Sequence, residues 1–226
     1  MATYDLEQQE QLDQFKHFWQ KYGNLITWVL VLALGGYAAW TGYQYWQQKR
    51  GQGAAGLYEE LDRAASTGGA DKVAQAFADL KKDYAGTTYA EHGALLAAKV
   101  AADQQKADQA KAALSWLVES GKNADLVAIA RLRLAGVQMD AKQYADAEKT
   151  LTADVPAEFK PLADDRRGDI LLAQGKKDDA AKAYLSAWQA MDPSVEYRRF
   201  IEGKLTALGQ APEQPKVQAA AAAASN

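Results

Sequence analysis

The chain has 226 residues with 26 basic and 29 acidic side chains, a net charge of −3, no cysteine and two histidines. Without cysteine there is no disulfide framework, no thiolate zinc site and no cysteine nucleophile. Its basic residues are scattered among more numerous acids, which leaves no electrostatic footprint for nucleic acid.

Residues 1–24 carry Asp5, Glu7, Glu10 and Asp13 against Lys16 and Lys21. Among them Leu12, Phe15, Phe18, Trp19 and Tyr22 recur at helical spacing and form one apolar stripe. The nineteen residues that follow, 25–43 (LITWVLVLALGGYAAWTGY), hold no charge at all. A helix of that length rises roughly 30 Å, the thickness of a bilayer's hydrocarbon core. Helices satisfy their own backbone donors and acceptors in lipid, so residues 25–46 are expected to cross a membrane once. Trp19 and Tyr22 at one end, and Trp40, Tyr43, Tyr45 and Trp46 at the other, suit the two membrane–water interfaces. The run is too long, and the segment before it too acidic, for a cleaved signal peptide. Lys16 and Lys21 on one side balance Lys49 and Arg50 on the other, so charge leaves the orientation open. Gly35, Ala38, Ala39 and Gly42 share one helical face, where small residues four apart let a second helix approach closely.

Gly51 and Gly53 are expected to loosen the chain. Beyond them alanine abounds and no strand-like alternation appears, so the remainder is expected to be short helices. Three segments share a pattern: ADQAKAAL at 107–114, YADAEKTL at 144–151 and KDDAAKAY at 177–184. Their alanines, Ala110, Ala147 and Ala180, lie 37 and 33 residues apart. Twelve residues before each is another small residue (Ala98, Ala135, Gly168), and four after each is a large one (Leu114, Leu151, Tyr184). Small residues allow two helices to cross closely, and the large one fills the gap one turn on. This is the layout of a tetratricopeptide repeat, about 34 residues folded as two antiparallel helices. The expected fold is therefore all-α: a transmembrane helix, then a tetratricopeptide repeat-like α-solenoid over residues 51–210. Helices near residues 54–65 and 70–84 precede the repeats without fitting the pattern, and one near 195–208 closes the far end. The Pro-, Gln- and Ala-rich residues 211–226 read as a disordered tail.

No catalytic motif stands out. His17 and His92 lack a partner at metal-ligand spacing. There is no Walker loop and no Gly-x-Ser-x-Gly elbow. Neither an enzyme nor a cofactor is expected. Binding is expected instead on the first helix of each repeat, which lines the groove of such a stack. The candidates there are His92, Lys99 and Asp103, then Met139 and Asp140, then Asp165 and Asp169. Arg166 and Arg167 beside Asp164, Asp165 and Asp169 also suit a salt-bridged helix surface.

Particular motifs accompany this architecture: Trp40-x-x-Tyr43-x-Tyr45-Trp46 at the end of the apolar run, Arg133-Leu134-Ala135-x-Val137-Gln138, and Arg167-Gly168-Asp169-x-Leu171-Leu172-x-x-Gly175. With them the chain resembles, up to about Leu208, the YfgM family of Gram-negative bacteria, ancillary subunits of the Sec translocon. The resemblance implies a cytoplasmic N-terminus and a periplasmic repeat domain. It implies as partners the Sec translocon channel subunits, a membrane-anchored periplasmic chaperone of the PpiD type, and exported client proteins. A repeat scaffold in envelope stress signalling or outer-membrane protein assembly is the alternative that the residues leave open.

Overall fold

The computed structural model describes residues 6–152 and 155–212; residues 213–226 of the tail, and the side chains of residues 6–12 and 14 (Leu12 of the apolar stripe among them), lie outside the described set. The chain divides into two compact units, Met1–Gln52 and Gly53–Asn226.

The first unit is helical from Leu6, the start of α1 (Leu6–Thr67). This helix contains a stretch long and apolar enough to cross a membrane, none of it buried against the rest of the protein. Its threonines are satisfied within the helix: the Thr27 hydroxyl donates to the Gly23 carbonyl at 2.8 Å and Thr41 to the Tyr37 carbonyl at 3.0 Å. Such back-bonding lets a hydroxyl sit in an apolar environment without an orphaned donor.

Gly51 and Gly53 do not interrupt α1, contrary to the expectation from sequence. An isolated glycine costs a helix only about 1 kcal/mol, and here good helix formers flank both. Gly53 also has a packing reason. A Cβ there would collide with the Tyr84 hydroxyl and ring, so the tyrosine occupies the room that a side chain would need.

The second unit takes the last turns of α1 and continues through α2 (Ala70–Tyr84), α3 (Thr88–Asp103), α4 (Ala107–Ser120), α5 (Ala124–Asp140) and α6 (Tyr144–Leu151). A short 3₁₀ turn, Ala157–Phe159, leads into α7 (Lys160–Ala173), α8 (Lys177–Ala190) and α9 (Tyr197–Ala207). No strand occurs among the described residues. Caps mark the starts of first helices: Thr87 Oγ1 accepts from the Ala90 amide at the head of α3, and Asn123 Oδ1 from those of Asp125 and Leu126 at the head of α5.

The repeats pair α3 with α4, α5 with α6 and α7 with α8. Their crossing residues are buried as the pattern requires: Ala110, Ala135, Ala147 and Ala180 are fully enclosed, and Ala98 and Gly168 nearly so. The third crossing shows why its residue is glycine. A Cβ on Gly168 would run into the Tyr184 ring. Where the other repeats combine alanine with Leu114 or Leu151, this one combines glycine with a larger tyrosine, conserving volume.

The turns between paired helices repeat with the same period. Gln105, Lys142 and Gly175 all have left-handed backbones (φ 59°, 60° and 80°), as does Gly209 (φ 76°) after α9. In each case the next amide reaches back to a carbonyl in the helix's last turn: Lys106 to Ala101, Gln143 to Gln138, Lys176 to Leu171 and Gln210 to Leu205. This is the Schellman closure, which satisfies carbonyls left over at a helix end.

The helices before the matched repeats do share their register, which corrects the expectation that they fall outside it. Subtracting 37 from Ala98, Gln105, Ala110 and Leu114 gives Leu61, Gly68, Val73 and Phe77. Leu61, Val73 and Phe77 are buried, and Gly68 is the turn between α1 and α2. Larger residues replace the small pair, and the space for them is found at Gly93, where a Cβ would stand 2.8 Å from Leu80 and 3.0 Å from Leu61. Helix α9 has Glu202 at the crossing position (Gly168 plus 34).

Candidate protein-interaction surface

On α3, His92, Lys99 and Asp103 are exposed along the helix. At the end of α5 Asp140 is exposed, whereas Met139 is half-buried and packs with Leu132 and Tyr144 against the second repeat's core. Asp140 and Val137 line a shallow cavity of about 300 Å³ with Ala102, Gln105, Ala107 and Ala141. The turn of one repeat and the first helix of the next thus bring Ala102 and Asp140 to the same groove, largely apolar with a carboxylate at its rim.

The expectation for α7 is corrected. Asp165 is only 3% exposed, so it belongs to the interior and not to an open groove. Its Oδ1 and Oδ2 accept from Lys204 Nζ at 2.8 and 2.9 Å, and Oδ2 accepts from the Tyr197 hydroxyl at 2.9 Å. Asp169, half-buried, accepts from Lys204 Nζ at 2.7 Å and from the Tyr184 hydroxyl at 2.8 Å, and faces Arg166 at 3.3 Å. A carboxylate can be buried only when paired and hydrogen-bonded. One lysine of α9 performs that service for two aspartates of α7.

The local chemistry follows from this arrangement. Burial disfavours the Lys204 charge, but the hydrogen bonds and fields of Asp165 and Asp169 outweigh it and hold the ammonium above the ordinary lysine value. Burial, followed by the neighbouring Asp169, pushes the Tyr184 hydroxyl far above the tyrosine range. Burial and Asp165 raise Tyr197 likewise. All of these residues therefore keep their bonding protons at neutral pH. The cluster fastens α9 to the last repeat.

Lys204 escaped the reading of the sequence, although a signal was present. It lies three residues from Ile201 and four from Leu208, a lone charge on the apolar face of its helix. A second acid is buried as well. Glu91 on α3 is 4% exposed, and its Oε1 accepts from the Lys122 and Asn123 amides at 2.5 and 3.3 Å, tying the first repeat to the start of the second.

On α1 the small-residue face of Gly35, Ala38, Ala39 and Gly42 is exposed, with no atom within 4 Å of a Cβ built at Gly35 or Gly42. Among the described residues, no group of three or more His, Cys, Asp or Glu side chains is placed to hold a metal ion.

The family described as a tetratricopeptide repeat-like domain matches residues 16–210. Over 204 residues the chain is 31% identical to an ancillary SecYEG translocon subunit of Neisseria gonorrhoeae, spanning 90% of this chain and 98% of that one. It is 29% identical over 192 residues to the protein of the same description from Escherichia coli, spanning 84% and 89% of the two chains. The corresponding protein of Haemophilus influenzae is 26% identical over 190 residues, covering 83% and 92%.

Proposed function

This chain belongs to the tetratricopeptide repeat-like family of ancillary SecYEG translocon subunits, and from that premise we propose that it is itself an ancillary subunit of the Sec translocon. Similarity along nearly the whole length of relatives bearing that description carries the reading. In this proposal residues 25–46 cross the bacterial inner membrane once, residues 1–24 are cytoplasmic and residues 51–210 are periplasmic. The protein works by contact and not by catalysis. Its repeat domain scaffolds a membrane-anchored chaperone of the PpiD type at the channel exit and assists exported chains as they emerge and fold.

Two surfaces would share the work. The small residues of α1 let it lie close to a neighbouring membrane helix, since packing at small side chains drives association in lipid. The exposed His92, Lys99, Asp103 and Asp140, with the half-buried Met139, form the contact surface on the repeats. Mixed apolar and charged groups suit weak contacts, in which a few anchors carry most of the energy.

Co-purification from membranes solubilised in mild detergent tests the proposal. Channel subunits should accompany the full chain; their absence, with outer-membrane assembly or stress-signalling proteins in their place, would overturn it. Orientation is tested separately with Ser186→Cys, an exposed position on α8. It should react with a membrane-impermeant thiol reagent once the outer membrane is permeabilised, and labelling only after inner-membrane rupture would reverse the topology.

A further inference from the structure

A cavity of about 300 Å³ lies where α4, α5 and α6 meet, and none of His92, Lys99, Asp103 and Asp140 lines it. The buried Leu134 and Gln138 line it from α5, and Gln138 Oε1 accepts from the Thr150 hydroxyl at 2.9 Å. Four charged side chains join them: Glu119 from α4, Arg131 from α5, and Asp146 and Lys149 from α6. Among the described residues none of the four forms an ion pair. The repeat register makes the contrast direct. Adding 33 to Asp146 and Lys149 gives Asp179 and Lys182, which pair on α8 at 3.1 Å. Adding 33 to Arg131 gives Asp164, which accepts from the Ser186 hydroxyl at 2.8 Å. In the second repeat, by contrast, Arg131 Nε is enclosed and has no acceptor among the described residues. Buried N–H groups without an acceptor are the exception in native proteins, and a charged donor left so loses more than a neutral one.

Charge complementarity identifies what would fill the cavity. Arg131 and Lys149 offer donors to a carboxylate, the guanidinium in a two-pronged fashion. Glu119 and Asp146 offer acceptors to an ammonium or guanidinium group. The two signs balance, so a lone ion of either sign meets repulsion as well as attraction, whereas a ligand carrying both signs satisfies each pair. Glu119, Asp146 and Lys149 are exposed, which leaves the rim within reach of side chains on another macromolecule.

We propose that this cavity binds a carboxylate and a neighbouring cation presented together by a partner polypeptide, as an acidic and a basic side chain adjacent in its sequence. Arg131 and Lys149 take the acid, and Glu119 and Asp146 take the base. The site is separate from the contact surface on the first helices, and it does not depend on the Sec assignment.

The test titrates the detergent-solubilised full chain, isotope-labelled on arginine, with acetyl-Ala-Ala-Glu-Lys-Ala-Ala amide. Nuclear magnetic resonance follows the Arg131 Nε–H signal, identified by its loss in Arg131→Met. The peptide should move that signal. Glutamine in place of its glutamate should weaken binding about tenfold, the equivalent of one charged hydrogen bond. Glu119→Gln with Asp146→Asn should reduce the affinity for the Glu-Lys peptide to that for a peptide with glutamine in place of the lysine, and should not weaken that second peptide. Arg131→Met should keep or raise Tm, since it removes an enclosed donor without an acceptor. Equal affinities for the three peptides, an unmoved Arg131 signal, or a lower Tm in Arg131→Met would overturn the site. Displacement of the peptide by free glycine, a small zwitterion, would overturn its assignment to a polypeptide.

Discussion

Replacing Lys204 with methionine keeps most of the side-chain stem and deletes only the ammonium. Three hydrogen bonds of 2.7–2.9 Å disappear together. Asp165 is left with the Tyr197 hydroxyl, and Asp169 with Tyr184 and Arg166. Breaking a buried ion pair from one side costs about 3–5 kcal/mol, because the remaining charge has lost its compensation. The Lys204 side chain is 29% exposed and that of Asp169 19%, so water relieves part of the penalty. The lower end, about 3 kcal/mol, is expected. For a domain of this size that lowers Tm by about 6–12 °C. Urea and thermal unfolding of the full chain in detergent, followed by far-UV circular dichroism, measure it. Adding Asp165→Asn and Asp169→Asn removes the stranded charges and should restore at least half of the loss. Lys182→Met, which breaks an exposed pair with Asp179, should leave the transition in place. A Lys204→Met protein within about 1 kcal/mol of the parent would refute the reasoning, as would a triple variant no more stable than the single one.

Gly168→Ala forces a methyl group into the Tyr184 ring and should destabilise the domain by about 1–3 kcal/mol; adding Tyr184→Leu, the pairing of the other repeats, should recover part of that in the same unfolding assay. Gln105→Gly and Lys142→Gly relieve left-handed backbones and should each stabilise by about 1 kcal/mol, whereas Gly175→Ala should cost a similar amount. Tyr184, Tyr197 and Lys204 all have folded-state values raised above their ordinary 10.0, 10.0 and 10.5. Their contribution is therefore complete at neutral pH and is lost as pH climbs past 10, so the parent should lose more stability between pH 9 and 11 than Lys204→Met does.

The parts of this fold legible in the sequence were those governed by local spacing. Nineteen uncharged residues announce a membrane-length helix. The alanines at 98, 110, 135, 147 and 180 mark helix crossings because a close approach admits nothing larger. The first pair carries no such mark, because its crossing residues are large. Leu61 and Val73 meet the same geometric need with a different division of volume, the missing space being supplied by Gly93 on another helix. Volume compensation across 20 or more residues leaves no periodic trace. The polar cluster was hidden for a related reason. Asp165 and Asp169 have two arginines beside them in sequence, so pairing within the helix looked sufficient. Their main partner instead comes from 39 and 35 residues away, on α9. The exposure of the candidate residues was thus legible where it follows from helical phase, as at Lys99 and Asp103, and not where a distant element covers the face.

The measurement that tests the account most directly is crosslinking in intact membranes from the repeat surface. A photoreactive residue at Lys99, exposed on α3, is compared with one at Asp79, exposed on α2. The Lys99 position should yield adducts with SecYEG channel subunits or a membrane-anchored periplasmic chaperone, well above those from Asp79. Adducts confined to outer-membrane assembly or stress-signalling proteins, with no Sec component from either position, would contradict the assignment of this chain to the translocon.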